Sequence, residues 1–129
     1  MKHVSVIFMT AIFAISLVSF TVDQDWVVPA KDKAIKSPVK ATDDNLEEAK
    51  LLYSKHCKAC HGATGKGDGP KAKSVKGDLG DFSSVAFHAQ TDGELFYKIK
   101  NGRDDMPNFK KITDEEIWLT VLYVRGLKK

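Results

Sequence analysis

Both cysteines of the 129-residue chain lie in one short stretch, Cys57-Lys58-Ala59-Cys60-His61. They are three positions apart, and a histidine follows the second at once. Thiols at that spacing share one helical turn, so each can form a thioether bond to the same flat group. The next residue then turns an imidazole toward the centre of that group from the same side. C-x-x-C-H is the attachment signature of c-type haem. Cys57 and Cys60 would carry the two thioethers, and His61 would bind the iron. Such a histidine must be neutral, with one ring nitrogen on the metal and the other donating a hydrogen bond that fixes the ring.

Three rival chemistries use similar residues. A thioredoxin-like pair wants its C-x-x-C beside a βαβ unit, and no strand pattern is visible here. A structural zinc site needs four ligands. Cys57, Cys60 and His61 are three, and His88 is the fourth candidate. A disulfide scaffold needs more than two cysteines, and this pair would close only a tiny loop.

A haem iron has a second axial position. Met1 and Met9 lie in the N-terminal targeting segment, residues 1–20, which leaves Met106 as the one methionine of the remaining chain. It sits in NGRDDMPNF, a polar stretch that core filling explains poorly. Pro107 stiffens the chain and biases Met106 toward an extended conformation. Met106 is therefore the expected distal ligand. His88 is the alternative, with a solvent-facing loop histidine as its plainer reading. His56, next to Cys57, would have to reach around the haem.

The elements that must position these residues are helical. In DDNLEEAKLLYSKH, residues 43–56, Leu46, Ala49, Leu52 and Tyr53 fall at helical spacing behind the capping oxygens of Thr42, Asp43 and Asp44. A second helix fits residues 92–100, with a Thr91-to-Glu94 capping box and Gly102 as its stop. A third fits residues 113–125, with a Thr113-to-Glu116 box and Gly126 at its end. The glycine-rich chain from 62 to 80 is expected to lack regular structure. Three short helices with long loops make a thin core, which a wrapped prosthetic group would complete.

The rest of the chain divides simply. Lys2 and His3 precede an uncharged run over residues 4–20, so residues 1–20 read as a signal peptide or an N-terminal membrane anchor. Residues 21–42, with Pro29 and Pro38 and no clear period, read as a linker in the form of a loose tether, with Trp26-Val27-Val28-Pro29 docking on the domain or on a partner as the alternative. Residues 43–129 form the folded domain. The hydrophobic fraction of 43% and charged fraction of 29% suit a globular protein. A net charge of +3, with no basic stripe interleaved with aromatics, gives no sign of nucleic-acid binding.

The domain resembles the class I, mono-haem cytochromes c. The likeness rests on LLYSKHCKACHGATGKGDGP, DGELFYKIKNGRDDMPNF and DEEIWLTVLYVRGL. It implies an all-α fold of three main helices and long loops wrapped around one covalent haem c. By the same resemblance Cys57 and Cys60 hold the haem, and His61 and Met106 are its axial ligands. The Pro70 carbonyl would accept the proximal histidine's N–H. First and last helices would cross closely, Ala49 and Tyr53 against Trp118 or Tyr123.

The expected function is one-electron transfer between respiratory redox proteins, with no catalysis, because both axial positions are filled. A haem subunit fixed in a larger membrane complex is the alternative, and an open-site haem enzyme or sensor a further one. Lys55, Lys58, Lys66, Lys71, Lys73 and Lys76 gather near the motif, where they could steer an acidic partner. The expected location is outside the cytoplasm, either periplasmic or anchored through residues 4–20 and facing the periplasm.

Overall fold

The computed structural model describes residues 26–128. The signal or anchor reading of residues 1–20, and the first part of the linker, lie outside them. Within the described residues there is no β-strand. The elements are α1 (Ala30–Lys33), α2 (Asp43–His56), α3 (Lys58–His61), α4 (Val85–Ala89), α5 (Asp92–Asn101) and α6 (Asp114–Gly126), with a 3-10 turn at Ala72–Ser74. This is the expected all-α architecture. No helix among the described residues is long and apolar enough to cross a membrane.

The three main helices begin where their caps dictate. Thr42 accepts a hydrogen bond from the Asn45 amide at the start of α2. Thr91 and Thr113 each close a full capping box, with Glu94 and Glu116 reaching back to the N-cap amide. Each box satisfies two amides that a helix start leaves without partners.

The core forms where α2 crosses α6, the most extensive helix contact in the fold. Ala49 on α2 and Ile117 on α6 are fully buried, and Val121 nearly so. The Tyr53 and Tyr123 rings meet at 4.7 Å between centroids. Trp118 stacks on Phe96 of α5 at 4.3 Å. Of the two aromatics expected at the crossing, Tyr123 lies on Tyr53 and Trp118 links α6 to α5. Leu46, expected on the inner stripe of α2, is 41% exposed; the buried residues of that helix begin a turn later, at Ala49.

Over residues 26–42 the expected loose tether is instead a strap docked on α5. Val28 is buried. The Thr91 hydroxyl donates to the Lys33 carbonyl at 2.8 Å, and the Lys33 ammonium meets the Glu94 carboxylate at 2.9 Å. Gly93 permits the approach, because a Cβ there would run into the Asp32 carbonyl. Pro29, one of the two prolines that suggested a tether, starts α1 as its N-cap.

Glu94 thus serves both its capping box and the strap. The Thr91 amide, and after it the Lys33 side chain, hold its carboxyl below the usual glutamate range. A lowered acid pKa contributes stability that is complete above the unfolded value and is lost as pH falls through the folded one. Amide protection factors across residues 30–35 should therefore fall as the pH drops below about 5. Glu94→Gln should flatten that acid limb. An acid limb as steep in the variant as in the parent would count against the assignment.

Candidate haem-attachment site

α2 ends at His56, and the chain turns again at once. Cys57 has φ −116° and ψ −41°, and its carbonyl accepts from the Cys60 amide at 3.1 Å and the His61 amide at 3.0 Å. One turn of helix, α3, therefore carries both thiols and the imidazole. The thiols are unpaired. Burial, with the neighbouring Cys60 adding to it, pushes the Cys57 thiol up to about 12. It stays protonated at neutral pH and is a poor nucleophile for disulfide exchange. Burial also lowers the His61 pKa below the usual histidine value, with a backbone hydrogen bond at Leu79 opposing it. The ring is held neutral, which is the form that can ligate a metal. Its Nδ1 is buried with no hydrogen-bond partner.

The last carbonyls of a helix have no partner inside it. Here the following loop supplies them. The Gly67 amide donates to His61, Gly69 to Cys60 and Lys71 to Ala59, at 2.9, 3.1 and 2.8 Å. The buried Tyr53 hydroxyl donates to the Gly62 carbonyl at 2.7 Å and so ties the loop to α2. The segment expected to lack regular structure is thus pinned along its first half and carries the 3-10 turn in its second. Pro70 lies in this loop, but its carbonyl does not accept from His61 Nδ1. The loop's hydrogen bonds run through amides on either side of it.

Met106 is half-buried in a tight turn between α5 and α6. Its backbone exchanges two hydrogen bonds with Arg103, at 3.0 and 2.9 Å. Two contacts bring this turn to the motif. The Asp105 carboxylate accepts from the Lys76 amide at 2.6 Å. The Phe109 ring meets His56 edge-on at 5.7 Å. Against the His61 ring lies Phe82 at 4.6 Å, with Phe87 stacked behind it.

His88 is not on a solvent-facing loop. It belongs to α4, is half-buried, and has a buried Nε2 without a partner. Its neighbour Phe87 turned the short helix inward, a signal that the run Val85-Ala86-Phe87 carried weakly. Sequence reasoning also missed Asp105, whose carboxylate is the link between the two loops. Tyr53 was read for its ring and not for its hydroxyl. Its place four residues before Cys57, on the same helical face, is the signal that could have found that bond.

The zinc reading fails on geometry. Among the described residues no group of three or more His, Cys, Asp or Glu side chains converges in a way that would hold a metal ion. The residues do fit a covalently attached haem. Two free thiols share one turn, and the imidazole beside them is neutral with an orphaned buried nitrogen.

Comparison with known proteins agrees. The family model described as cytochrome c oxidase, cbb3-type, subunit III, matches residues 44–124. No curated protein matches the chain. Among solved structures, a chain of the Kuenenia stuttgartiensis reducing HAO-like protein complex Kustc0457/Kustc0458 is similar at 26% identity and a TM-score of 0.63, over 71% of this chain and 47% of that one. This chain thus spans about half the length of that neighbour. The KustC0563 c-type cytochrome is similar at 31% identity and a TM-score of 0.56, over 63% of this chain and 98% of that one.

Tyr53→Phe keeps the ring but leaves the buried Gly62 carbonyl without its donor. The expected cost is about 1–3 kcal/mol. It should appear in denaturant unfolding, with faster proteolysis between residues 62 and 71. Unchanged stability would mean that the hydroxyl does not hold the loop.

Proposed function

The chain belongs to the family described as cytochrome c oxidase, cbb3-type, subunit III, a mono-haem cytochrome c family, and from that premise we propose that it carries single electrons between redox proteins with one haem c per chain. Cys57 and Cys60 hold the group, His61 is the proximal ligand and Met106 the distal one. Bound there, the haem supplies a one-electron iron couple.

The observation that carries this reading is the convergence of two loops. The motif turn presents a neutral imidazole, and the Met106 turn is tied to the same loop through Asp105 and Lys76. A thioether is a weak ligand and needs a stiff backbone to hold it. The paired hydrogen bonds between Arg103 and Met106 provide one. Thioether ligation and apolar burial both favour the reduced iron and so raise the potential. Phe82, Phe96 and Phe109 supply apolar surface around the site. With both axial positions held by side chains, no substrate site is left, and the protein acts as a carrier and not an enzyme.

The six lysines around the motif, from Lys55 to Lys76, are all exposed. Such a patch favours an acidic partner surface and would make docking sensitive to salt. A second reading, a subunit seated in a larger respiratory assembly, is favoured by the oxidase subunit for which the matching family is described, and by a structural neighbour that is part of a complex. Both readings place the domain outside the cytoplasm, with residues 4–20 as signal or anchor.

Two variants test this. Met106→Ala should lower the reduction potential and open the reduced iron to carbon monoxide. A retained potential without carbon monoxide binding would reject Met106 as ligand. Changing Cys57 and Cys60 together to Ala should abolish the covalent mass of the haem and leave the domain largely unfolded. A colourless variant that still folds cooperatively would overturn the cofactor's structural role.

A further inference from the structure

The docked strap ends in an aromatic ring at the base of the Met106 turn. The Arg103 guanidinium lies 4.9 Å from the centroid of the Trp26 ring, and the Lys98 ammonium lies 5.6 Å from it. Both are within the range of cation–π attraction. Arg103 is also the residue whose backbone pairs with Met106 through two hydrogen bonds. Its guanidinium meets the Asp104 carboxylate at 3.3 Å. Asp104 has φ +53°, a left-handed conformation that a non-glycine residue holds only when its surroundings impose it. Gly102, at φ +64°, leaves room that a side chain would take from the Met106 carbonyl.

We propose that Trp26 is a positioning residue for Met106. The indole fixes the Arg103 guanidinium, and Arg103 fixes the turn that presents the thioether. The inference deepens the proposed function and rests on Met106 being the distal ligand. The strap can act in this way because it is itself anchored. Val28, two residues on from Trp26, is buried, and Lys33 is held by both Thr91 and Glu94. Lysine 98 bonds Gln90 at 2.6 Å, so the second cation under the ring is fixed as well. The other flank of the turn is held by the Asp105 bond to Lys76. Met106 therefore sits between two clamps, one from the loop that follows the motif and one from the segment that precedes the domain. Loss of the Trp26 clamp would leave the turn free to swing about the remaining one, with the thioether leaving the iron more often.

The experiment uses haem-loaded protein. In Trp26→Ala, carbon monoxide should bind the reduced iron about tenfold faster, the scale expected for loss of a partly desolvated cation–π contact. The weak long-wavelength band that marks thioether ligation in the oxidised protein should fade in parallel. Trp26→Phe keeps an aromatic face and should restore most of both. Arg103→Gln should match Trp26→Ala, and the double variant should add little to either. Thr42→Ala, which removes the cap of α2 and leaves Trp26, Arg103 and Met106 in place, should lower thermal stability without changing carbon monoxide binding. The inference is overturned if Met106→Ala admits carbon monoxide quickly while Trp26→Ala and Arg103→Gln both bind it at the parent rate. If Met106→Ala itself does not admit it, the ligand reading fails and takes the inference with it. Should Trp26→Ala not assemble with haem, Arg103→Gln and Trp26→Phe decide the matter by the same readouts.

Discussion

The Tyr53 hydroxyl donates to the Gly62 carbonyl from inside the core, and the geometry of the site depends on that bond. The ring belongs to the crossing of α2 and α6, packed on Tyr123. The oxygen belongs to the loop behind the haem motif. One side chain therefore couples the strongest packing in the fold to the position of His61. Its phenol is pushed well above the ordinary tyrosine pKa, chiefly by burial, so it remains a donor throughout the physiological range. Without it, the loop would keep the amides of Gly67, Gly69 and Lys71 on the motif but lose this tie to α2.

Those three amides solve a problem that a very short helix creates. α3 is only four residues long, so the Gly62 amide reaches the Lys58 carbonyl and the next three carbonyls have no donor in a continuing helix. The chain folds back and supplies the donors in order. Glycine-rich sequence is used here for close approach, and the loop behaves as a rigid part of the site. The same logic governs the Met106 turn, where backbone pairing with Arg103 does what a strand would do in a larger sheet protein. In both places a proposed ligand sits on a short stretch of chain that backbone hydrogen bonds from its surroundings hold in place.

Much of this was legible in the sequence, and for physical reasons. Capping boxes are local, so Thr91 with Glu94 and Thr113 with Glu116 placed the starts of α5 and α6 to within a residue. The motif is local too, because its chemistry requires one turn. What could not be read was long-range. The Lys76 amide bonds a carboxylate 29 residues away, and Thr91 bonds a carbonyl 58 residues away. No spacing rule announces either. The tether was preferred over docking of Trp26 to Pro29 for this reason: Pro29 and Pro38 look the same in a tether and in a docked segment. Only Gly93, which accepts the strap's backbone, distinguishes them. Leu46 shows the opposite error, a residue with correct helical phase that lies beyond the reach of the partner helix.

The start of α5 gathers two distant parts of the chain. The Thr91 hydroxyl bonds the Lys33 carbonyl, and Arg125 near the end of α6 is bound by Asp92 and by the carbonyls of His88 and Gln90. The strap and the last helix thus share one short run of anchor residues, 88–92. Such common anchorage couples the two, because whatever loosens that run releases both at once.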